Sequence, residues 1–450
     1  MMPSTARALR AALLAIALAL TAPALARAQS AAGALSGTER ALVRAVDTHN
    51  AQALALLERL VDINSGTMNF AGVRKVGDVL RAALDSLGFT TRWVDGASFK
   101  RAGHLVAEHP GPGPKLLLIG HLDTVFEPDN PFQKFELVGD SMAHGPGVID
   151  MKGGDVIIVY ALRALQQVGA LPKMNVTIVF DGDEESAGEP LSAARAALID
   201  AAQGATAALG FEDGAGDPAT AVVARRGDIS WTLTSTGTPA HSSQIFTPEV
   251  GAGAIYESAR VLDQFYTRLG HERYLTLSPG LVLGGTAVEI DSTQTTGSAS
   301  GKHNVVAGHV TVSGDLRTIS PEQLERAKSA MRDIVAQSLP GTHSAITFDD
   351  GYPPMAPTAG NSRLLALYDR VSRDLGTGAV VAVDPSRAGA ADVSFVATLV
   401  PMSIDALGLS GSGGHTDKET ADLRMLPVKT KRTAVLLYRL TNGAAAETVP

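Results

Sequence analysis

The chain has no cysteine. A disulfide framework, a thiolate metal site, a cysteine nucleophile and a lipid-modified cysteine are therefore all excluded. An excess of positive charge is missing as well: 38 Lys and Arg stand against 46 Asp and Glu, a net charge of −8 with a pI near 5.8. That balance argues against nucleic acid or an anionic membrane as partner. Small neutral substrates remain, or anionic ones met by a local cationic pocket. Beyond the first residues there is no charge-free apolar run long enough to span a bilayer. Internal repeats and low-complexity tracts are absent apart from the alanine-rich leader and tail.

The leader is the first thing the chain does have. Arg7 and Arg10 precede an apolar stretch over residues 11–22 and small residues ending in Ala26-Arg27-Ala28. This reads as a secretory signal peptide, residues 1–28, too short to span a membrane. Export without cysteine suits a Gram-negative periplasm. A mature chain of about 420 residues exceeds one ordinary core, so two domains are expected. The 45% hydrophobic and 19% charged content is that of a globular α/β protein.

The apolar pattern divides the chain. Helical spacing over 38–63 and 76–87 is followed by strand patterns at 89–94, 104–107 and 116–119, a helix at 156–168 and a strand at 176–180. Such β-α-β alternation predicts a mixed, largely parallel sheet with helices on both faces. From Arg226-Gly227 the pattern becomes β-α-β-β-α-β, the order of a ferredoxin-like α+β unit, ending near Gly351-Tyr352-Pro353-Pro354 as a hinge. The expected organisation is a signal peptide (1–28), a first catalytic part (29–226), an inserted lid or dimerisation domain (227–352) and a second catalytic part (353–450).

Chemistry gathers at the ends of the apolar runs. Residues 116–119 form a buried strand pattern stopped by Gly120, which places His121 and Asp123 at its carboxyl end, where ligands bind in open α/β sheets. Gly145-Pro146-Gly147 supports a loop that delivers Asp150. The strand at 176–180 runs into Asp183-Glu184-Glu185, two adjacent glutamates that repel unless a cation or shared proton intervenes. Phe211-Glu212 ends another apolar run, and His415-Thr416-Asp417-Lys418-Glu419 follows a glycine-serine loop. Taken singly, each reads equally well as a capping histidine or a solvated acidic loop. Together they supply neutral nitrogen and hard oxygen, the ligands of a hydrolytic Zn²⁺.

In order, His121-x-Asp123, Gly145-x-Gly147-x-x-Asp150-Met-Lys-Gly-Gly, Asp183-Glu184-Glu185, Phe211-Glu212, Gly237-x-x-Ala240-His241, Asn304 with Asp315-Leu-Arg317, and Gly414-His415-x-Asp417-Lys418 resemble the M20 metallopeptidases, nearest their glutamate carboxypeptidase branch. The resemblance implies two Zn²⁺ per subunit bridged by Asp150, one also held by His121 and Glu212, the other by Glu185 and His415. It implies that Glu184 is the general base, that Asp123 orients His121, and that the peptide bond after Asp150 is cis. His241 would stabilise the oxyanion from the partner of a homodimer, while Arg317, Asn304 and Gly389 would contact the substrate. His144 is expected not to be a ligand. Ala390 and Ala391 stand where the family's carboxypeptidases often carry a hydroxyl, a departure in the region expected to read the substrate.

These features lead to an exported di-zinc exopeptidase or amidohydrolase acting on the amide bond to a C-terminal amino acid. A deacylase of N-acyl amino acids would use the same catalytic residues. A non-catalytic metal-binding protein on this fold is the alternative from another class.

Overall fold

The computed structural model describes residues 35–213, 216–291 and 295–443, so the expected leader lies outside the described residues. The chain begins with α1 (Gly37–Val61) and α2 (Phe70–Asp85), then β1 (Thr90–Asp95), β2 (Gly103–His109) and β3 (Lys115–His121). Helix α3 (Lys152–Gln167) leads to β4 (Asn175–Asp181), and β5 (Ala207–Gly210) follows. An insert then runs through β6 (Ile229–Gly237), α4 (Gly253–Leu269), β7 (Thr276–Gly285), β8 (His309–Arg317), α5 (Pro321–Val335) and β9 (Thr342–Phe348). The chain returns with α6 (Ala359–Asp374), β10 (Ser403–Ile404) and α7 (Met425–Thr441).

Local chemistry sets the helix starts. Ser36 accepts the N–H of Glu39 while the Glu39 carboxylate accepts that of Ser36, a capping box that opens α1. Helix α2 starts earlier than its apolar spacing suggests, because the Asn69 side chain accepts the N–H of Gly72 and caps it there.

The main sheet has the order β1-β2-β4-β3-β5-β10. Strand β3 is parallel to β4 and β5, and β10 is parallel to β5. The β1–β2 and β2–β4 pairs are antiparallel. The difference follows from the connections: α3 lies on the crossover from β3 to β4, whereas β1 and β2 are joined by a short loop that reverses the chain. Leu116 and Leu118 of β3 face a core shared with α1, α2, α3, α6 and α7, while Leu117 and Ile119 face a second core that includes Leu198, Val393 and Val396. Strand β3 is thus buried on both faces up to its carboxyl end.

The insert forms its own antiparallel sheet, β7-β8-β6-β9, the ferredoxin-like order. Its separate core includes Trp231, Leu233, Phe265, Val312 and Met331. A hairpin pairing Ala287–Ile290 with Gly297–Ser300 lies between β7 and β8. It escapes a sequence reading because Gly297–Ser300 is Gly-Ser-Ala-Ser, fully exposed and without apolar alternation. The two linkers to the insert run side by side: Arg225 exchanges backbone hydrogen bonds with Met355, and the Asp228 N–H donates to the Tyr352 carbonyl.

Helix α7 carries a fully buried lysine, Lys429, whose Nζ donates to the Ala406 carbonyl at 3.3 Å. Burial, reinforced by Arg432, lowers its pKa to about 7. An unfolded lysine keeps its proton to about pH 10.4. Between these values the unfolded chain binds a proton that the folded chain does not, so stability rises with pH across that window. Lys429→Met is therefore expected to raise the melting temperature at about pH 6, with the gain shrinking towards about pH 9.5. A shift of equal size at both pH values would contradict the buried-lysine account.

Candidate metal centre

Strand β3 reaches the site through Gly120, where a Cβ would come within 2.4 Å of Asp155 Oδ1 and 2.9 Å of the Phe180 ring. Only glycine fits there, and the next residue is His121. Asp150 comes from a loop in which Gly147 has φ +73°. That loop is fixed by a residue 269 positions later: the buried Glu419 carboxylate accepts the N–H groups of Gly147 at 3.2 Å, Ile149 at 2.9 Å and Asp150 at 3.2 Å. The peptide bond Asp150–Met151 is cis.

The two oxygens of Asp150 face opposite ways. Oδ1 lies 3.1 Å from His121 Nε2, and that nitrogen is 3.6 Å from Glu212 Oε1. Oδ2 lies 3.0 Å from His415 Nε2, which is 3.1 Å from Glu185 Oε2. The result is two groups that can each hold a metal ion, His121–Asp150–Glu212 and Asp150–Glu185–His415, joined by one carboxylate. His415 takes a left-handed backbone (φ 62°) to reach this position. For a residue other than glycine, such a conformation costs on the order of 1–3 kcal/mol, and it concentrates at functional sites.

Asp123 lies behind the first group. Its Oδ1 is 3.4 Å from His121 Nδ1, and its carboxylate also accepts the Thr67 hydroxyl and the N–H groups of Glu184 and Glu185. In the neutral ring Nδ1 thus carries the proton, and Nε2 turns its lone pair towards Asp150 and Glu212.

The electrostatics fit a pair of cations. Burial raises the pKa values of Glu184, Glu185 and Glu212, and their mutual repulsion and that of Asp150 push the same way. The same carboxylates push both imidazoles towards their charged form. Hydrogen bonds to Asp150 and Glu185 hold the pKa of His415 up to about 11. For His121, burial opposes protonation but Glu212, Asp123 and Asp150 outweigh it. A dication in each group would offset the same carboxylates and leave both imidazoles neutral, the form in which they ligate.

Glu184 is in neither group, although its neighbour Glu185 is. His241, Asn304 and Arg317 lie on the insert and in neither group. His241 is exposed, with Nδ1 2.9 Å from Ser243 Oγ, and the Asn304 carbonyl beside it accepts the Ser242 N–H. Arg317 is held by Asp315 at 2.8 Å and Asp228 at 3.0 Å. His144 also lies in neither group; its Nε2 faces the Asp417 carbonyl at 2.8 Å. The Gly389 carbonyl accepts Arg225 Nη1 at 2.7 Å, Arg225 Nε holds Asp405 at 2.8 Å, and Asp405 Oδ1 accepts the Glu212 N–H at 3.4 Å. Sequence reasoning missed Asp405 and Glu419 as supports of the ligand loops. For Asp405 the available signal was an acidic residue in an apolar setting, and for Glu419 its place at the end of the His415 motif; neither reveals a distant partner.

The chain is similar to known proteins along most of its length. The model of peptidase family M20/M25/M40 matches residues 117–439. Carboxypeptidase G2 of Pseudomonas sp. (strain RS-16) is 26% identical over 413 residues, covering 90% of this chain and 93% of that protein. Succinyl-diaminopimelate desuccinylase of Acidiphilium cryptum (strain JF-5) is 26% identical over 375 residues, covering 80% and 90%. Among solved structures, a Bacillus subtilis dinuclear metal-binding peptidase superposes with a TM-score of 0.60 at 16% identity, covering 88% of this chain and 99% of that one.

Proposed function

The chain belongs to peptidase family M20/M25/M40 and is a metallopeptidase or amide hydrolase, and from that premise we propose a di-zinc exopeptidase that cleaves the amide bond to a C-terminal amino acid in N-acyl or peptidyl substrates. The observation that carries this reading is the Asp150 carboxylate, with one oxygen on each of two ligand groups. Imidazole nitrogen and carboxylate oxygen without thiolate suit Zn²⁺. When bound, the metal pair supplies Lewis acidity that polarises the scissile carbonyl and acidifies water.

The residues then divide the work. Glu184 accepts the proton of the attacking water on its carboxylate and delivers it to the departing amine nitrogen. Asp123 holds His121 in one tautomer. His241 donates to the developing oxyanion, and Arg317, Asn304 and Gly389 receive the substrate, the guanidinium suiting its terminal carboxylate. In this reading Arg317 exchanges its two internal ion pairs, with Asp228 and Asp315, for the substrate. The leader and the lack of cysteine support export to a periplasm. The second reading, an N-acyl amino acid deacylase, is favoured by the desuccinylase relative.

Metal analysis of purified protein, followed by a screen of N-acyl amino acids and dipeptides, tests the proposal. The expected result is two zinc ions per chain and release of a free C-terminal amino acid, lost on chelation and restored by Zn²⁺. Absence of bound metal, or no hydrolysis across the screen, would sink it.

We further propose that the enzyme is a homodimer in which His241 acts on the partner's site. His241→Ala should then cost about 10²- to 10³-fold in turnover with metal content unchanged. Heterodimers of His241→Ala with Glu184→Ala subunits contain one site with both groups, so activity should return after subunit exchange. Exchange confirmed by mass without recovered activity would place His241 outside the partner's site.

A further inference from the structure

Tyr352 sits where the two linkers to the insert run side by side. Its carbonyl accepts the Asp228 N–H at 2.9 Å, and the Asp228 carboxylate receives Arg317 of β8. Its side chain reaches in the other direction. The hydroxyl donates to the Glu184 carbonyl at 2.8 Å and accepts from Arg195 Nη2, also at 2.8 Å, while the ring packs 4.9 Å from that of Phe395. Arg195 is itself buried and held independently, with Nε on Asp392 at 2.8 Å and Nη1 on Asp183 at 2.6 Å.

Glu184 is consequently gripped through its backbone from two sides. Its N–H is bound at 3.1 Å by Asp123, the residue that also orients His121. Its C=O is bound by a tyrosine whose own backbone belongs to the paired linkers of the insert. Burial, with Asp392 and Glu184 nearby, raises the pKa of this hydroxyl far above the phenol range, so it remains a donor at any working pH.

We propose that Tyr352 is a positioning residue that ties the paired linkers of the insert to the backbone of Glu184 and so aligns the base with the reacting water. This inference rests on Glu184 being the base in the reading above. It assigns Tyr352 no contact with substrate or metal. A simpler role for the hydroxyl, serving only as one more acceptor for Arg195, predicts no specific effect on turnover, because Asp183 and Asp392 remain in place without it.

Tyr352→Phe separates the two, since it keeps the ring against Phe395 and removes only the hydroxyl. The expected result is a fall in kcat of about tenfold or more with KM within about twofold and metal content unchanged, as small misalignments of a catalytic group cost rate rather than binding. A second readout needs no activity. In metal-free protein, hydrogen–deuterium exchange over residues 183–188 should quicken in Tyr352→Phe while exchange in β3 stays as in wild type. A kcat within about twofold of wild type, or unchanged exchange at 183–188, overturns the proposal. If wild type hydrolyses nothing in the screen, the functional reading fails on its own, and the exchange measurement alone then decides whether Tyr352 holds the Glu184 segment.

Discussion

Glu184→Ala is expected to reduce turnover by about 10²- to 10⁴-fold, the usual share of a general base, while both metal ions remain bound. The separation follows from the geometry. Glu185 faces His415 Nε2 at 3.1 Å and shares a group with Asp150, whereas Glu184 belongs to neither group although it is adjacent in sequence. The Glu184 backbone is also fastened independently of its carboxylate, by Asp123 at the N–H and Tyr352 at the carbonyl. Truncating the side chain therefore leaves the loop that carries Glu185 in place. Metal content by elemental analysis, measured beside kcat, is the check. Loss of metal from a folded Glu184→Ala protein would show that the roles of the two glutamates are exchanged.

Asp150→Ala should have the other large effect and is expected to empty both groups. Its two oxygens lie 3.1 Å and 3.0 Å from the two histidines, so one substitution removes the residue that, among the described residues, both groups have in common. Glu212→Ala and His415→Ala each touch a single group and should each weaken one ion. Removing partners that merely orient ligands already costs about 10- to 100-fold in metal affinity, so loss of a bridging ligand should exceed that. Titration of metal-free variants with Zn²⁺ would resolve one retained site in the single-group variants and none in Asp150→Ala. Two sites of wild-type affinity in Asp150→Ala would exclude the bridge.

Much of this architecture is legible in the sequence because it is local. The apolar run at 116–119 marks a strand buried on both faces, and the glycines around Asp150 mark a backbone that must turn sharply or pass close to its neighbours. The β-α-β-β-α-β order of the insert appears in its alternating periods of two and 3.6 residues. The exposed Gly-Ser-Ala-Ser strand has no such period and went unseen. Proximity of the motifs to apolar strand ends likewise suggested the ligand types, whereas their pairing came only from the family resemblance.

By itself, then, the sequence determined which side chains stand at strand ends, that no thiolate chemistry exists, and that an α/β unit is interrupted by an α+β unit. The resemblance already implied that Asp150 is shared by two histidines, and the fold brings them together. Tertiary structure alone decided that Glu419 braces the Asp150 loop, that Asp405 joins Glu212 to Arg225, and that Tyr352 reaches the Glu184 backbone. Each of these contacts spans distant parts of the chain, and most span well over a hundred residues. Periodicity reports only which face of an element is buried. Where that face meets a carboxylate from elsewhere is set by how helices and strands pack, and burial then decides which charges must be shared.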